Sequence, residues 1–79
     1  MKARVSVTLN SLEIGRSASV VAVRGDGAVS KRLMEMGVVP GTAVRVVKAG
    51  PFDDPIEIKV RGYSLALRRS EAETVEVVF

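Results

Sequence analysis

Cysteine and histidine are both absent from the 79 residues. Without cysteine there is no disulfide framework, no thiolate nucleophile and no zinc knuckle, and a reducing compartment suits the chain. Without histidine the commonest general base and the commonest transition-metal ligand are missing as well. Aromatic residues are scarce: Phe52, Tyr63 and Phe79 are the full set, too few for a row of base-stacking platforms. The longest uninterrupted apolar run is Val20–Val23, far too short for a membrane-spanning helix. The opening MKARVSVTLN carries basic residues but no apolar stretch behind them, so no signal peptide is expected and the chain reads as cytoplasmic, not membrane-embedded. Its size predicts a single domain over residues 1–79 and excludes a large enzyme with a cavity between domains.

What remains is ordinary for a folded protein: 47% apolar and 27% charged residues, with twelve basic against nine acidic side chains and a net charge of +3. That excess attracts anionic partners mildly and falls short of a dedicated nucleic-acid binder. Hydrophobic alternation then organises the chain. Ala3, Val5, Val7 and Leu9 alternate with polar neighbours, the mark of a half-buried strand. Asn10, Glu13 and Gly15 suggest a capped turn that carries Leu12 and Ile14 inward. Ser17–Arg24 reads as a second strand, broken by Gly25-Asp26-Gly27.

One helix is expected, Ala28–Met36, with Val29, Leu33 and Met36 as its apolar stripe, Asp26 as N-cap and Gly37 as left-handed C-terminal cap. Pro40-Gly41 marks a type II turn into a third strand over Thr42–Lys48. Ala49–Pro55 reads as a loop, Ile56–Val60 and Ser64–Arg68 as strands joined tightly at Arg61-Gly62-Tyr63. Ser70-Glu71-Ala72-Glu73 fits a capping box for one helical turn, and Val75, Val77 and Phe79 an inward-facing last strand. Five to six short strands with one helix and short helical turns predict an all-β fold with minor α content, a small closed or nearly closed barrel, the alternative being an open sheet with helices covering one face.

Candidate chemistry is thin. Asp53, Asp54 and Glu57 could offer oxygen ligands to a hard cation, but acids in such a loop suit turn geometry and solvation. Met34 and Met36 fit packing better than metal ligation. Ser30, Lys31 and Ser64 have no base or orienting group attached. Gly25-Asp26-Gly27 lacks a phosphate-loop pattern and reads as a turn with a cap. The sequence therefore predicts no enzyme, no cofactor and no metal site. A basic patch drawn from Arg61, Arg68, Arg69, Lys31 and Arg32 is the remaining surface feature.

The order of these signals resembles the FeoA family, ferrous iron transport protein A. Leu9, Leu12 and Gly15 stand for its Leu-x-x-Leu-x-x-Gly opening, and KRLMEMGVVPG from Lys31 to Gly41 for its helix and turn. Asp54-Pro55, Val60-x-Gly62 and LALRRSEA from Leu65 to Ala72 follow in order, without a large gap. The resemblance implies an SH3-like barrel and assigns structural roles to Gly15, Leu33, Gly37, Pro40, Gly41 and Gly62. It also implies a small cytosolic accessory protein that binds and regulates FeoB, a membrane ferrous-iron transporter with a cytosolic GTP-binding region. The alternative is an SH3-like adaptor for a peptide or an iron-responsive repressor, with no direct transport role. A barrel this small has little interior space, so its useful surface is external. The expected contact is the helix ridge of Lys31, Arg32, Met34 and Glu35, joined by Arg61 and Arg68, on a monomer or weak homo-oligomer that does not engage nucleic acid.

Overall fold

Period-two alternation becomes sheet wherever one face can be buried. The computed structural model describes residues 4–25 and 27–79. It contains β1 (Ser6–Thr8), β2 (Ser17–Val23), α1 (Ala28–Glu35), β3 (Ala43–Ala49), β4 (Ile56–Val60), β5 (Tyr63–Leu67), α2 (Arg69–Ala72) and β6 (Val75–Val78). All six strands pair antiparallel in one sheet of order β1-β6-β2-β3-β4-β5. Two bulges, between Val20 and Ala22 and between Val46 and Lys48, mark its bends. The inward residues Val20, Val44, Val46, Ile56, Ile58, Val60, Leu67, Val75 and Val77 form the core with Leu9, Leu12, Leu33, Val38 and Ala72.

Several details differ from expectation. The first strand is shorter than predicted: Leu9 already belongs to a 3₁₀ turn over Leu9–Ser11, and Ala3 lies outside the described residues. Leu12 is buried there, but Ile14 is 62% exposed. It occupies the corner of a turn closed by Arg16 N–H donating to Glu13 O at 3.0 Å, with Gly15 next to it at positive φ. Phe79 falls beyond β6 and is exposed, with the Arg16 guanidinium 4.4 Å above its ring.

The predicted helix ends one residue early, at Glu35, and its buried face is Ser30 and Leu33. Val29, expected in the stripe, is 41% exposed. The expected cap Asp26 lies outside the described residues, and Gly27 is the N-cap. At the other end Val38 N–H donates to Leu33 O at 3.0 Å and Gly37 N–H to Met34 O at 3.1 Å. This is a Schellman motif, and its apolar pair is Leu33 with Val38, both fully buried. Gly37 has φ of 100°, as that motif requires.

The Pro40-Gly41 turn forms as predicted, with Thr42 N–H donating to Val39 O at 3.1 Å. The β4–β5 hairpin turns on Arg61 and Gly62, both at positive φ, the two-residue form that matches strand twist. The predicted Ser70-Glu73 capping box does not form: α2 starts two residues earlier, and only the glutamate half of such a box is present, because an arginine side chain has no acceptor to offer. Arg68 is the N-cap, and its N–H donates to Glu71 Oε1 at 2.9 Å.

Candidate functional site

The residues singled out on the sequence are held by α1, by the β4–β5 hairpin and by the entry to α2. Burying Leu33 and Ser30 turns Lys31 and Glu35 to solvent and leaves Met34 43% exposed at the flank. Ser30 is buried on that inner face, where its hydroxyl donates to Gly27 O at 3.3 Å.

Arg32 is not a free member of the ridge. Its guanidinium pairs with Glu71, whose other oxygen accepts the Arg68 N–H. Glu71 thus joins α1 to the start of α2. Arg61 reaches the other end of α1: a Cβ at Gly37 would lie 2.9 Å from Arg61 Cδ and 3.5 Å from Tyr63 Oη. The aliphatic stem of Arg61 therefore lies across the helix C-terminus, where a cation suits the orphan carbonyls. Structure brings Lys31, Arg32, Met34, Glu35 and Arg61 to one helix and its end, and sets Arg68 beside them through Glu71.

Sequence reasoning missed two features. Arg69, read only as part of a basic patch, is a structural tie. Its N–H donates to Asp54 Oδ1 at 3.0 Å, its Nε to Asp53 O at 2.5 Å, and its guanidinium also reaches Asn10 O. No local pattern signals this, because the partners lie 15, 16 and 59 residues away. The loop it anchors presents Phe52 at full exposure, with φ of 61° in the left-handed region. The second missed feature is the carboxyl of Glu76 on β6. Ser6 Oγ, donating at 2.8 Å, and then the Arg24 guanidinium hold it below its usual range. Among the described residues no three His, Cys, Asp or Glu side chains gather as a metal site. No helix there is long and apolar enough to cross a membrane.

The motifs laid along this geometry match one family model, the FeoA domain, over residues 7–78. The chain belongs to the FeoA family. It is similar to a Porphyromonas gingivalis Fe(2+) transport protein A/Fe(2+) transporter FeoB fusion protein, with 39% identity over 69 residues. That match spans 87% of this chain and 8% of the fusion protein. The FeoA-like protein of Clostridium acetobutylicum superposes with a TM-score of 0.83 at 36% identity, covering 94% of this chain and 85% of its own. FeoA of Stenotrophomonas maltophilia, an SH3 domain protein solved with zinc, gives a TM-score of 0.81 at 39% identity, over 90% and 88% of the two chains. A manganese-dependent transcriptional repressor shares the fold alone, at 17% identity and a TM-score of 0.84. The SH3-like FeoA fold is thereby established for this chain, and its family supports a role in ferrous iron transport.

Proposed function

We propose that residues 1–79 act as one accessory module of ferrous iron uptake, working in the cytoplasm by contact with the cytosolic region of a FeoB-type transporter and regulating it. The observation that carries this reading is the fusion relative, in which a transport protein A portion and a FeoB portion share one polypeptide. Two functions joined in one chain work at high effective concentration, so a separate chain of the same family is expected to meet the same partner by affinity. The chemistry of the surface supports contact over catalysis. The ridge offers a cation at Lys31, an adaptable thioether at Met34 and an acid at Glu35, with no base and orienting group set around a nucleophile. A net charge of +3 favours an acidic face on the transporter.

The test is titration of the purified chain into the full-length transporter at low and high salt, for wild type, Lys31→Glu and Met34→Glu. Arg32 is left intact, because reversing it would also break its pair with Glu71 and disturb α2. Binding that weakens in both variants and in high salt supports the ridge. Wild-type affinity in both variants would place the contact elsewhere, and no binding by wild type would overturn the accessory reading itself.

A further inference from the structure

The loop between β3 and β4 is built to hold Phe52 out. Phe52 and Asp53 both occupy the left-handed region, at φ of 61° and 62°, and Phe52 is 101% exposed. A bulky residue held in that region costs free energy, and such strain persists where the surroundings enforce it. Here Gly50 N–H donates to Pro55 O at 2.8 Å, Asp53 N–H donates to Gly50 O at 2.9 Å, and Arg69 clamps Asp53 and Asp54. A Cβ at Gly50 would come within 3.2 Å of Asp54 O, so the base of the loop is already closely packed.

Beside that base lies an apolar recess of about 220 Å³, lined by Ala49, Gly50, Pro55, Ile56 and Ala66. An apolar cavity of about 150 Å³ accommodates benzene, so this one has room for a phenyl ring. Lys48 and Glu57 stand at its rim in a loose ion pair of 3.6 Å, and the Lys48 side chain is 71% exposed. The protruding ring is followed in the chain by an acid, Asp53, and the recess offers Lys48, the more exposed and only loosely held partner of its pair with Glu57. Knob and recess belong to the same β3–β4 segment, whose base residues Gly50 and Pro55 line the recess, so a dimer of this patch would be isologous, each copy offering both parts.

We infer that a second copy of this chain docks here, each Phe52 filling the other copy's recess and each Asp53 facing the other copy's Lys48. Two rings and their surroundings make a small interface, so the dimer is weak and depends on concentration. This goes beyond the transporter reading and does not rest on it. The experiment is sedimentation equilibrium of the whole chain from micromolar to millimolar concentration at low and high salt, with amide spectra to verify each fold. Wild type is expected to self-associate reversibly and less in high salt. Phe52→Ser, which removes the knob, and Ala66→Arg, which blocks the recess, should each weaken association at least tenfold. Lys48→Glu should weaken it too, and Lys48→Glu/Asp53→Lys should restore it. A monomer at millimolar concentration and low salt would overturn the proposal, as would an association that Phe52→Ser leaves unchanged. If wild type stays monomeric while Phe52→Ser loses affinity for the transporter, the transporter is the occupant and the second copy is not.

Discussion

At Gly37 a backbone requirement and a surface feature meet in one residue. Its φ of 100° closes the Schellman motif, and its missing Cβ leaves space for Arg61. Gly37→Ala is expected to cost about 1–3 kcal/mol through backbone strain and to displace Arg61. A denaturant midpoint equal to wild type, with unmoved Arg61 resonances, would contradict this. Leu33 is fully buried, so Leu33→Ala should lower stability by about 2–4 kcal/mol through lost burial and a residual cavity. Equilibrium unfolding checks it, and an unchanged midpoint would remove Leu33 from the core. Glu76 gives a pH dependence of known sign. Its folded carboxyl titrates below its usual range because of Ser6 and Arg24. The stability it adds is therefore fully present above that range and disappears as pH falls through the lowered value. Thermal midpoints of wild type and Glu76→Gln should converge as the solution is acidified, whereas a constant gap would show that the carboxylate is not the source.

Among the elements, those governed by local rules were legible in the sequence and those governed by distant contacts were not. The β4–β5 hairpin follows from alternation at Ile56, Ile58 and Val60, but its turn is tighter than the expected Arg61-Gly62-Tyr63 connection, since Tyr63 already pairs with Val60 at the start of β5. The helix followed from Leu33 and Gly37, but its exposed flank did not. Val29 sits at the same helical spacing as a core residue and points to solvent, because Ser30 takes the buried position with its hydroxyl satisfied by Gly27 O. The predicted cap gave way to an earlier start of α2, where the Glu71 carboxylate is used twice, by the Arg68 N–H and by Arg32 across the fold. Of the candidate contact residues, Lys31, Met34 and Glu35 were legible as an outward face. The engagement of Arg32 was hidden, since its partner lies 39 residues away. Arg69 illustrates the same limit, and its loss can be measured. Arg69→Ala should cost about 1 kcal/mol and speed amide exchange across the loop from Gly50 to Asp54. Exchange at the wild-type rate would mean that the loop holds itself.

For the whole molecule, one bent sheet turns its inward apolar side chains into the core and leaves Ile14, Met34 and Phe52 among the large apolar residues at the surface. Its surface divides into a helix ridge and a protruding loop with no shared residue, so the two contacts can be separated experimentally. The claim that ties fold, family and surface together is that α1 and its neighbours meet a FeoB-type transporter. Its most direct test is an amide-resolved footprint of the isotope-labelled chain titrated with the unlabelled cytosolic region of that transporter. Perturbations are expected to concentrate on residues 31–37 and 61–63 and near Arg68, and to weaken at high salt. A saturating complex whose perturbations avoid α1 and the Arg61 turn would contradict it.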